Sequence, residues 1–137
     1  MTEQLPCTSG TLVLRTDFAD DAAWEELGRI LATPSEDDFL PYVELVADPR
    51  FTGVVAEEAL DRLPVGYDHP ILVLADTTAL ASAEFPLLVV DLREERGRCL
   101  RVVASELWGI ENNLSISNMD FREFAAAVDA DGVHRGF

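Results

Sequence analysis

Residues 98–137 read RCLRVVASELWGIENNLSISNMDFREFAAAVDADGVHRGF, and within them three kinds of local signal agree on a strand followed by two helices. Leu100, Val102 and Ala104 alternate with Arg101 and Val103, the period of a strand with one face buried. Ser105 offers a hydroxyl cap to a helix carrying Leu107, Trp108 and Ile110, with Glu106 near the positive end of its dipole. Asp120 and Glu123 have capping-box spacing. Behind them Phe121, Phe124, Ala125 and Val128 fall at i, i+3, i+4 and i+7 as one apolar stripe, which Gly132 is expected to close. Between the helices Asn112, Asn113, Ser115, Ser117 and Asn118 interleave with Leu114 and Ile116, an odd density of hydrogen-bonding side chains for a simple surface loop.

Upstream of this stretch, the periodicity predicts alternating strands and helices. Leu12 to Leu14 is a short buried-type strand. A helix follows Asp17 to Asp21, with Trp24, Leu27, Ile30 and Leu31 on one face and Pro34 at its end. Tyr42 to Val46 reads as a second strand, Val55 to Leu63 as a short helix, and Ile71 to Ala75 as a strand buried on both faces. Thr77 to Ala83 suits one helical turn. Leu87 to Leu92 and the strand from Arg98 are separated only by Arg93 to Gly97, so they are expected to pair antiparallel. The sum is an α+β domain from about Gly10 to Phe137, behind an N-terminal tail of residues 1–9. It has a mixed sheet of about five strands with packed helices and ends in a strand followed by two helices.

The segment from Ser105 to Phe137, together with LVLRTDF (12–18) and LLVVDL (87–92), resembles a domain-of-unknown-function family of small actinobacterial proteins. The resemblance extends over nearly the whole chain and is most specific from Trp108 to Asn118. It implies a bacterial source and a single domain, and it implies no activity.

Composition narrows the chemistry. The chain has 137 residues, enough for one domain with a real core. All ten of its basic side chains apart from histidine are arginines, a choice that fits a GC-rich genome. Without lysine there is no P-loop and no Schiff-base site. HExxH, paired CxxC and GxSxG are also missing, and no cofactor is indicated. The start MTEQLPCTSG lacks a basic region followed by an apolar one, and no apolar run reaches membrane-spanning length. A cytoplasmic location is expected, with Cys7 and Cys99 as free thiols and Cys99 a small buried residue of its strand.

Net charge is −16, and residues 98–137 account for only −2 of it. Thirteen acids against Arg29 and Arg50 fall between Asp17 and Asp61. Such a surface repels nucleic acid and anionic membrane and attracts basic protein. In many acidic cytoplasmic proteins such charge serves solubility alone; as a functional surface it points to a non-enzymatic, acidic interaction module, of the kind that masks a cationic surface as immunity or antitoxin proteins do. Its acidic face would include Asp37, Asp38, Glu57, Glu58 and Asp61.

Two further sets of residues are candidates. Trp108, Asn112 and Asn113, with Arg101 and Glu106, could line a binding surface, an aromatic anchor beside adaptable amides. The favoured reading of these residues is structural, with Trp108 in the core and the asparagines hydrogen-bonding backbone, the ordinary job of asparagine outside helices. The alternative function is a small metal-dependent enzyme. Asp17, Asp48 and Asp76 each follow a strand, and three carboxylates at parallel strand ends could hold a magnesium ion, although aspartate in that position also serves turns and caps. The run from Asp129 resembles a calcium loop only superficially, since Gly132 in the sixth position puts Ala127 first.

Overall fold

A computed structural model describes residues 4–137. Its centre is one mixed sheet of β1 (Thr11–Arg15), β2 (Val43–Val46), β3 (Ile71–Ala75), β4 (Pro86–Asp91), β5 (Cys99–Val103) and β6 (Val133–His134), in the order β2-β1-β3-β4-β5-β6. The first three strands are mutually parallel, β4 is antiparallel to both neighbours, and β6 runs parallel to β5. The sheet thus has the mixed character read from the sequence and the expected β4–β5 hairpin. The sixth strand is an addition, too short to show any period.

The helices are α1 (Asp21–Leu31), α2 (Ala56–Arg62), α3 (Thr77–Leu80), α4 (Leu107–Ser115) and α5 (Phe121–Ala125). They form two layers because strand order reverses. From β1 the chain moves outward to β2 and then crosses back over β1 to β3. Right-handed crossovers in opposite directions need helices on opposite faces. Accordingly α1 buries Leu27 and Leu31 on the face that also receives Ala79, Leu80, Leu107, Ile110, Phe121 and Phe124. Ala59 of α2 joins Leu5, Phe51 and Val54 on the other face, against Leu12, Leu14, Leu72 and Leu74. Strands β1 and β3 are buried along their whole length, hence their unbroken apolar runs. Each fully buried leucine in these layers contributes about 1.5–3 kcal/mol from area removed from water.

Several local readings change. Ser105 is exposed and caps nothing; Ala104–Glu106 is a 3-10 turn, and α4 starts at Leu107 without a side-chain cap. The capping box of Asp120 and Glu123 does form. Helix α5 nonetheless ends at Ala125, before Val128, and Gly132 at φ 80° turns the chain into β6. Arg135 fixes that turn, bonding Glu84, Asp129 and Asp131 at 2.8–2.9 Å. The part of the N-terminal tail that is described is docked. Leu5 is buried, and its N–H donates to Arg62 C=O at 2.7 Å. Both cysteines are free and exposed, so Cys99 is a surface residue of β5 rather than a core thiol. Partial desolvation pushes its pKa up against the pull of Arg101, which leaves it a poor nucleophile.

Candidate binding groove

Helix α4 explains the unusual asparagine-rich stretch. Trp108, Glu111, Asn112 and Ser115 recur at helical spacing on one side, and three of them grip the chain just before β2. The Trp108 ring lies flat on Phe39, with centroids 5.0 Å apart and planes 6° from parallel. Asn112 Nδ2 donates to Leu40 C=O at 3.0 Å. Tyr42 N–H donates to Glu111 Oε1 at 2.6 Å. Glu111 also accepts from Asn112 Nδ2 and Ser115 Oγ, so a carboxylate only 3 % exposed is satisfied by three donors. Asn113 instead serves its own helix end, donating to Gly109 C=O and accepting from Asn118 Nδ2.

Gly10 sets the other wall of this corner. A Cβ there would stand 3.0 Å from Tyr42 O and from Val43 C, and these main-chain atoms would have to give by a few tenths of an ångström to admit it. Thr11 N–H can therefore reach Tyr42 C=O at 3.0 Å and start the β1–β2 ladder. Tyr67 stitches the other side of β1. Its hydroxyl accepts from Leu12 N–H at 3.0 Å and donates to Ile71 C=O at 2.7 Å, bridging β1 and β3 just before their ladder begins. Burial pushes the Tyr67 phenol up to about 12.

The result is a groove of about 410 Å³ lined by Leu40, Tyr42, His69, Pro70, Glu111, Asn112 and Ile116, with Asp68 and Arg93 at its edge. Three of its lining side chains are large, apolar in character and bare: Leu40 is 44 % exposed, Tyr42 63 % and Ile116 73 %. The polar groups inside are committed. His69 Nε2 donates to Thr8 C=O at 3.1 Å, and Asp68 meets Arg93 at 3.3 Å. Glu36, Asp37 and Asp38 are exposed in the turn immediately before Phe39.

Of the five binding candidates read from sequence, only Asn112 lines the groove, and Trp108 acts on it through Phe39. Arg101 is on the other face of the sheet, since its neighbours Leu100 and Val102 enter the α4 layer. There it binds Asp76 with both terminal nitrogens, at 3.0 and 2.8 Å. Glu106 lies beside Gly136, below the C-terminal turn. Glu111, Phe39, Leu40, Tyr42 and Ile116 were missed. The stripe at 108, 111, 112 and 115 was the signal available for Glu111.

The acidic candidates divide between layers. Asp37 and Asp38 belong to the turn fastened to α4, whereas Glu57, Glu58 and Asp61 ride on α2 over the opposite face. Asp17, Asp48 and Asp76 do share the carboxyl edge of three parallel strands, as the spacing suggested. They are not assembled as ligands. Asp17 accepts from Ala19 N–H, Asp48 holds Arg50, and Asp76 caps α3 while binding Arg101. Among the described residues no three histidine, cysteine, aspartate or glutamate side chains are grouped to hold a metal ion. No described helix is long and apolar enough to cross a membrane.

A mixed six-stranded α+β domain with a groove pinned by α4 defines the structural class. The model of one family, described as a domain of unknown function (DUF6924), matches residues 10–137, and the chain belongs to that family. No curated protein matches it.

Proposed function

We propose that the chain is a non-enzymatic interaction module that holds a basic protein partner at the α4 groove. The observation that carries this reading is the convergence of three exposed apolar side chains, Leu40, Tyr42 and Ile116, on one concavity beside Glu36, Asp37 and Asp38. Bare apolar side chains next to an acidic turn have the composition of a recognition site: the apolar groups supply affinity, the acids steering and selectivity. A catalytic role has less support, because Glu111 and His69 are held by main-chain bonds and Asp68 by Arg93.

The same charge argues for a cationic target of the kind that an immunity or antitoxin protein masks. Exposed, unpaired thiols support a reducing cytoplasm, and the arginine-only composition supports a GC-rich actinobacterial source.

The test is capture of partners from the source cell's lysate at low and then high salt, using the wild type and three variants. Asp37→Asn with Asp38→Asn, and Tyr42→Ala with Ile116→Ala, are expected to lose a basic partner that salt releases from the wild type. Glu57→Gln, Glu58→Gln and Asp61→Asn, combined on the α2 side, are expected to keep it. Equal capture by all four proteins would sink the proposal.

A further inference from the structure

We propose that the outer edge of β2 receives an extended basic segment of the partner as a seventh strand. This deepens the interaction reading, on which it rests, by giving it a binding mode.

Hydrogen-bond direction identifies the free groups. Thr11 N–H donates to Tyr42 C=O, and Thr11 stands opposite Val43 in the parallel register. A strand residue turns its N–H and C=O to the same side, so Tyr42, Glu44 and Val46 face β1 while Val43 and Leu45 face outward. Strand β2 is terminal in the sheet, and among the described residues no hydrogen bond reaches those outward groups.

Bare edges invite pairing and are normally blunted by charge. Here the charge has one sign: Glu36, Asp37 and Asp38 precede the strand, Glu44 lies within it, and the following Asp48 is matched by Arg50. A second copy of this chain would bring the same acids to the edge and be repelled. An alternating basic and apolar segment is complementary. Its main chain would bond Val43 and Leu45, its arginines would meet the acids, and an apolar side chain would enter the groove where Tyr42 joins edge to rim. Main-chain pairing with side-chain pockets is an established way for a sheet edge to recognise peptide.

The test uses the synthetic peptide RVRVRVR, with EVEVEVE as its charge-reversed counterpart, and follows backbone amide exchange by NMR. RVRVRVR is expected to slow exchange of the Val43 and Leu45 amides at least about tenfold, whereas EVEVEVE leaves them unchanged. Val43→Pro removes an outward N–H from the first residue of an edge strand, where proline is tolerated, and is expected to weaken RVRVRVR binding about tenfold. If that variant fails to fold, the exchange experiment on the wild type decides alone. Salt-sensitive binding of RVRVRVR without slowed exchange at Val43 and Leu45 overturns the edge mode and leaves the interaction reading standing. Absence of binding at millimolar peptide, or a dimer of the free protein on sedimentation, also overturns the edge mode. The lysate capture tests the interaction reading separately.

Discussion

Trp108 and Phe39, remote in sequence, stack face to face at 5.0 Å and fix the chain that enters β2 to the helix that follows β5. Replacing Trp108 with alanine removes the stack and part of its half-buried area. The expected cost is about 1–3 kcal/mol in urea denaturation, and protease should then cut between residues 35 and 42. Trp108→Phe should restore most of the loss. If Trp108→Ala leaves cleavage unchanged, the stack does not hold the loop.

Glu111 is the buried acceptor of that corner. Glu111→Ala would remove the shared acceptor of Tyr42 N–H, Asn112 Nδ2 and Ser115 Oγ; Ser115 is exposed and water can replace its acceptor, so the expected cost is about 1–2 kcal/mol. Glu111→Gln keeps the size but sets an amide against donors, so an intermediate loss is expected in the same denaturation experiment.

Tyr67→Phe should cost about 1–3 kcal/mol, because Leu12 N–H and Ile71 C=O lose their shared partner. The hydroxyl also predicts a pH dependence. Its pKa rises from 10.0 to about 12 on folding, so the unfolded chain gives up the proton first. Stability from this group is complete below pH 10 and is lost as pH climbs from there toward 12, by about 1–2 kcal/mol. Denaturation midpoints at pH 9 and 11.5 should converge between wild type and Tyr67→Phe.

Arg135 holds the Asp131 and Glu84 carboxyls below the usual range by direct hydrogen bonds. A depressed carboxyl stabilises above its unfolded pKa, and the contribution disappears as pH falls through the folded value. Arg135→Gln should therefore lower the melting temperature at pH 7 and by much less at pH 3. High salt should narrow the pH 7 difference.

Asp76 both caps α3 and pairs with Arg101, each partner about three-quarters buried. Asp76→Ala should cost about 2–4 kcal/mol, since it leaves Arg101 without its carboxylate. With all three strand-end aspartates engaged, millimolar magnesium or manganese should leave the wild-type melting temperature unchanged. A clear rise would revive the metal-dependent alternative.

Much of the fold was legible because its signals are local. The double-sided burial of β1 and β3 appears as the apolar runs at Leu12–Leu14 and Ile71–Ala75, and the hairpin follows from the short connection, read as Arg93 to Gly97 and seven residues long in the structure. The capping box was readable because both its partners lie within one turn. The groove was not. Phe39 and Leu40 sit in a segment with neither helical nor strand period, Tyr42 reads only as the start of a strand, and all three acquire meaning only from α4, whose Glu111 meets Tyr42 across 69 positions. Arg101 was assigned to the wrong surface because alternation places a side chain on one of two faces without saying which helices cover it.

What the sequence determined by itself was the set of elements, the acidic character and the exclusion of lysine chemistry, since periodicity, capping and composition act within a few residues. Only the tertiary structure decided which acids share a surface, which aspartates remain free, and which apolar side chains stay in water. Those outcomes depend on strand order: crossing β1 between β2 and β3 sends α1 and α2 to opposite faces, and that reversal separates Asp37 and Asp38 from Glu57, Glu58 and Asp61.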